Sequence, residues 1–146
     1  MGDRLRSAAF AELQARTAFL WAAERFPEAP GPLRDAWVRL AAEEDKHLGW
    51  LLVRMDDIGA DVAERAVSAQ LWESFVSCTS ARQFAQWMAG AEERGQEAGE
   101  RFARRLAGVD SISAALFAQI AKEEAGHVAL AKRYLPLLPE EAVGEA

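Results

Sequence analysis

The sequence predicts an all-α chain, an antiparallel four-helix bundle with a long crossover between helices 2 and 3. Three observations carry this. Four stretches, about residues 4–26, 33–58, 80–107 and 111–135, repeat apolar residues at helical spacing. The two histidines each stand three residues after a glutamate, in Glu44-Asp45-Lys46-His47 and Glu124-Ala125-Gly126-His127, a spacing that shares one helix face. Between the second and third stretches about twenty residues lack a long helical pattern, too many for a hairpin turn and enough to run the length of a bundle.

The chain has 146 residues, which fits one domain, 1–146, around a single core. It is 51% hydrophobic and 27% charged, a balance typical of globular proteins and not of disordered ones. No apolar run approaches the ~20 residues needed to span a bilayer. Arg4 and Arg6 are followed by Glu12, Gln14 and Arg16, which interrupt any signal-peptide core. A cytoplasmic location without a membrane partner is therefore expected. A single cysteine, Cys78, excludes an internal disulfide and a CxxC centre. The net charge of −6 argues against nucleic acid as a partner.

In the first helix, Leu5, Ala8, Ala9, Glu12, Ala15, Phe19, Ala22, Ala23 and Phe26 share a face, and Glu12 is the only acid on it. Pro27, Pro30, Gly31 and Pro32 then turn the chain. The second helix aligns Leu33, Trp37, Leu40, Glu44, His47, Leu51 and Met55, with Gly59 as its terminator. A short amphipathic piece, Gln70 to Val76, lies within the crossover. Thr79 or Ser80 caps the third helix, whose inner face is Phe84, Ala85, Met88, Glu92, Gly95, Gly99, Phe102, Ala103 and Leu106, with Gly108 just past its end. Glu93, Glu97, Glu100 and Arg104 fall on the solvated side. Asp110 or Ser111 caps the fourth helix, with the stripe Leu116, Ile120, Glu124, His127, Ala131 and Tyr134. Pro136 and Pro139 end it, and the acidic tail is expected to fray.

Each half of the chain thus pairs a helix bearing one inward glutamate with a helix bearing Glu-x-x-His. Measured from the turn joining each pair at ~1.5 Å per residue, Glu12 and Glu44 lie roughly 21 and 18 Å along the bundle, and Glu92 and Glu124 roughly 23 and 20 Å. All four carboxylates reach one level. Four glutamates converging in a core would repel and are costly to bury unpaired, whereas two divalent ions balance them and neutral imidazoles complete the site. The candidate metal ligands are Glu12, Glu44, His47, Glu92, Glu124 and His127, a carboxylate and imidazole set suited to iron or manganese. Glu43 and Glu123, each just before a ligand glutamate, are candidates to reach the histidine of the facing helix; the plainer reading makes them rim acids.

Other features have structural readings that suffice. Gly95 and Gly99 serve close helix packing or, with Ala8, Ala9 and Ala15, leave a small cavity for O₂ or substrate. Tyr134 and Cys78 are read as core, and the five tryptophans as packing or an oligomer surface, with a homodimer as the candidate assembly. Arg101, Arg104 and Arg105 complement the dipole at a helix end.

With Glu12, Glu44-x-x-His47, Glu92 and Glu124-x-x-His127 in this order, nearly the whole chain resembles the ferritin-like di-iron carboxylate proteins. Ala11-Glu12-Leu13-Gln14-Ala15, Glu44-Asp45-Lys46-His47 and Glu123-Glu124-Ala125-Gly126-His127-Val128-Ala129 are similar to an uncharacterised ferritin-like group related to the tRNA hydroxylase branch. The resemblance implies two Fe ions, with Mn or mixed Fe/Mn as alternatives. In it each Glu-x-x-His supplies one ion's histidine, Glu44 and Glu124 bridge, and Glu12 and Glu92 are terminal. It further implies an O₂-dependent oxidoreductase, a hydroxylase or oxidase, with an external electron donor and a small or tethered substrate. The alternatives are a ferroxidase or iron-handling protein, a manganese catalase, and a non-enzymatic helical interaction module.

Overall fold

The computed structural model describes residues 1–63 and 68–140. It contains four long helices, α1 (Gly2–Arg25), α2 (Gly31–Asp57), α4 (Ala81–Leu106) and α5 (Ser111–Tyr134), and a short α3 (Gln70–Val76) between the second and third of them. A 3₁₀ turn, Leu135–Leu137, follows α5, and no strand occurs among the described residues. The expected fraying of the acidic tail concerns residues 141–146, outside those described.

The helix boundaries follow local chemistry. Pro32 sits in the first turn of α2, where its missing N–H is harmless. The Ser80 hydroxyl accepts from the Gln83 amide and the Asp110 carboxylate from the Ser113 amide, capping α4 and α5. At the end of α2, Gly59 has φ +71. Its amide donates to Asp56 and that of Ala60 to Met55, the paired bonds of a Schellman motif. Gly108 is not left-handed; α4 ends instead with the Asp110 amide bonded back to Leu106 at 2.8 Å.

The helices associate as two antiparallel hairpins, α1 with α2 and α4 with α5, each joined by a short turn and packed along its length. The hairpins meet chiefly through α2 and α5, while α1 and α4 stand further apart. The crossover α3 lies on α1 and touches α4. Gln14 pins it: its amide nitrogen donates to the Ser68 carbonyl and its oxygen accepts from the Trp72 amide.

The apolar core is divided in two. One part gathers Phe19, Phe26, Trp37 and Phe75 around Phe84, mostly edge-on with ring centroids 5.2–6.3 Å away, pairs worth about 0.5–1.5 kcal/mol each beyond area burial. The other joins Leu5, Ala9, Leu51, Met55, Phe117 and Ile120. All seven residues of the α2 stripe are buried. Two arginines reinforce the far end. Arg6 is buried and donates to the Asp61 carbonyl and to Asp3. Arg54 forks onto the Asp110 carboxylate at 2.9 Å and donates to the Ser113 hydroxyl. No helix of the described chain is long and apolar enough to cross a membrane.

Candidate metal centre

A polar layer separates the two apolar clusters. Glu12 enters from α1, Glu44 and His47 from α2, Glu92 from α4, and Glu124 and His127 from α5, and all six are buried. The one-turn spacing within each Glu-x-x-His aims both side chains inward. The six residues expected from the sequence are thus brought together. They form two overlapping groups, Glu12–Glu44–His47–Glu124 and Glu44–Glu92–His127, and within each group the ligand atoms lie within 4.8 Å of one another. Glu44 belongs to both and lies between the two histidines. Glu124 sits with the first group alone, so the two glutamates expected to bridge are not equivalent here.

Both imidazoles turn Nδ1 inward. His47 Nδ1 is 3.6 Å from Glu12 Oε2 and 3.5 Å from Glu44 Oε2. His127 Nδ1 is 2.9 Å from Glu44 Oε1 and 3.4 Å from Glu92 Oε1. The rings stack with centroids 6.1 Å apart. Both Nε2 atoms face outward to the residues expected to receive them. Glu43 on α2 meets His127 Nε2 at 2.5 Å, and Glu123 on α5 approaches His47 Nε2 to 3.7 Å. The second approach is looser because Glu123 is also held by Lys46, at 2.5 Å, and by Gln119. The role of Lys46 was missed in the sequence, although it is adjacent to His47 in the motif.

Burial and mutual repulsion dominate the protonation of this layer. Burial, reinforced by the bond and charge of Glu44, holds Glu12 well above the ordinary carboxylate range. Burial and then the Glu44 charge raise Glu92 likewise and push Glu124 up to about 7. Burial would raise Glu44 too, but its contacts with Glu12, His127 and His47 outweigh this and hold it low. Burial opposes charge on His127, and Glu44 and Glu92 override it, pushing the imidazole up to about 11. Protons thus hold the cluster together in the metal-free chain.

Even so, Glu44 Oε1, Glu124 Oε2 and both ring nitrogens of His47 are buried without a hydrogen-bond partner among the described residues; the 2.9 Å approach of Glu44 Oε1 to His127 lacks hydrogen-bond alignment. Buried polar atoms are normally satisfied, and orphans gathered at one point need a reason. Two oxygen- and imidazole-liganded divalent cations fit them. They would take up the lone pairs of Glu44, Glu124 and the inward His47 Nδ1, leaving the outward Nε2 to Glu123, and replace the protons; the absence of thiolates suits a harder ion.

Beside Glu12 and Glu124 the layer is open. Gly95 is exposed, and a Cβ built on it would lie 2.8 Å from Glu124 Oε2. Gly99 packs tightly, with its Cβ position 3.2 Å from the Ala121 methyl. The two readings of these glycines therefore separate. Gly99 serves helix packing, and Gly95 leaves the glutamate edge accessible.

Fold and site together define an all-helical protein with a buried carboxylate–imidazole cluster. The chain belongs to the family described as a protein of unknown function, DUF455, which it matches over residues 4–144. No curated protein and no solved structure matches it.

Proposed function

We propose that the two hairpins form a ferritin-like four-helix bundle holding a di-metal centre, with iron as the favoured pair, and that the protein is an O₂-dependent oxidoreductase, a hydroxylase or oxidase. The observation that carries this reading is the pair of overlapping ligand groups sharing Glu44, with orphaned polar atoms at their junction. A reduced metal pair bound there would supply the electrons and open coordination positions that O₂ reduction needs.

The chain's own residues have separable tasks. Glu44 draws both halves of the ligand set to one point. Glu43 accepts from His127 Nε2–H, which fixes the tautomer and directs Nδ1 inward. Glu123, shared with Lys46 and Gln119, restrains His47 more weakly. Phe117 and Ile120 on α5 and Phe102 on α4 give the approach to the Glu12–Glu124 edge an apolar lining, and Gly95 leaves room there for a small reactant.

Anaerobic titration with Fe(II), followed by elemental analysis, tests the centre. Two ions per chain are expected, with both lost in Glu44→Ala. Uptake of one ion or none overturns the reading. Exposure of the loaded protein to O₂ should then oxidise both ions. Peroxide disproportionation by the manganese-loaded chain would instead favour a catalase.

A further inference from the structure

The cleft between α1 and α4 has a volume of about 380 Å³, within the roughly 300–1,000 Å³ range of small-molecule pockets. Gly95, Ala98 and Gly99 form one wall, and Phe102, Phe117 and Ile120 line its apolar interior. It ends on Glu12 and Glu124. The two ends of the cleft differ in chemistry. At the inner end, Glu124 is buried and its Oε2, without a hydrogen-bond partner, faces the space that a side chain at Gly95 would fill.

At the outer end stands Arg4, eight residues before Glu12 on α1, about 12 Å along the helix. Its guanidinium lies 4.4 Å from the centroid of the Phe102 ring, and that of Arg101 lies 5.9 Å from the same centroid. Neither arginine forms an ion pair with a described residue. Asp3 also lines the cleft, but its carboxylate accepts from Arg6 at 2.5 Å and is committed there. The cleft therefore presents a cation at its mouth, an apolar passage, and the carboxylate edge of the metal layer at its end.

We propose that this cleft binds an amphipathic carboxylate, an aliphatic or aryl acid. Its anionic group lies at Arg4, its apolar body runs past Gly95 and Phe102, and its far end abuts Glu12 and Glu124. That this molecule is the substrate rests on the di-metal reading. The binding itself does not. A molecule held in this way presents its apolar end, not its head group, to the carboxylate layer.

Calorimetric titration of the full chain with octanoate and with octan-1-ol, both metal-free and Fe(II)-loaded under anaerobic conditions, tests the proposal. One octanoate per chain is expected, with affinity rising about fourfold for each methylene added from hexanoate. Arg4→Gln should weaken octanoate about tenfold or more while leaving octan-1-ol unchanged, since only the acid makes a charge-assisted bond. Ala98→Phe should block both ligands at unchanged helicity and metal content. Should that variant misfold, Ala11→Leu on the exposed rim serves the same purpose. Octanoate binding indifferent to Arg4→Gln, or absent from the wild-type chain, overturns the proposal. If the chain takes up no metal yet binds octanoate through Arg4, the cleft stands and the di-metal reading falls.

Discussion

Gly95 is subject to two opposed effects. A glycine within a helix is about 1 kcal/mol less stable there than alanine, yet a Cβ at this position meets Glu124 Oε2 at 2.8 Å. In the metal-free chain that oxygen ends a flexible side chain and can swing aside. In the metal-bound chain it would be fixed. Gly95→Ala is therefore expected to raise the melting temperature of the chelator-treated protein by about 2–4 °C while shrinking the gain produced by Mn(II) or Fe(II). An undiminished metal-dependent gain, read by calorimetry, would show that Glu124 is not held by an ion. The two outward carboxylates permit a second comparison. Glu43 meets its imidazole directly and Glu123 does not. Glu43→Ala should thus weaken metal binding about 10–100-fold, and Glu123→Ala distinctly less. Equal losses in a competition titration against a chelator would contradict this asymmetry.

At the level of the helices, the sequence pattern and the packing agree where an element is enclosed. The α2 stripe from Leu33 to Met55 is buried throughout; the Ser80 and Asp110 caps and the short α3 stand where turn chemistry and amphipathicity put them. The six converging residues were legible because residue spacing fixes direction on a helix and residue count fixes height. Periodicity identifies the inward face, but not how closely a neighbouring helix approaches it. Ala8, Ala15 and Gly95 were expected inside and are only partly covered or exposed, because α1 and α4 do not close on each other. The burial of Arg6 and the Arg54–Asp110 fork were likewise illegible, since their partners are set by tertiary contact across 55 or 56 residues of sequence. Gly59 is a connecting residue whose role is readable and whose φ of +71 bears it out. Gly59→Ala is expected to destabilise the protein by about 1–2 kcal/mol, measured by denaturant unfolding, with metal stoichiometry unchanged. No loss of stability would mean that the α2 terminus is not held by this turn.

Over the whole molecule, folding, protonation and metal uptake are linked through the polar layer. Glu124 has an ordinary value of 4.5 and is pushed up to about 7 in the folded chain, with Glu12 and Glu92 raised in the same direction by burial and the neighbouring carboxylates. Between about pH 4.5 and 7 the folded metal-free chain therefore holds more protons than the unfolded one. The stability associated with these carboxyl groups is full below the unfolded value and declines as pH rises through the folded one. Metal binding runs the opposite way, because a cation must displace the same protons and also the one on His127, so its apparent affinity climbs with pH. The two slopes add. The difference in melting temperature between the Mn(II)-saturated and chelator-treated protein should accordingly widen from about pH 5.5 to about pH 7.5. At an ion concentration 100 times the dissociation constant it should correspond to about 2.7 kcal/mol, and loading in weak buffer should release protons to the solution. A difference that stays constant across this range, or uptake without proton release, would mean that the ions bind somewhere other than among these carboxylates.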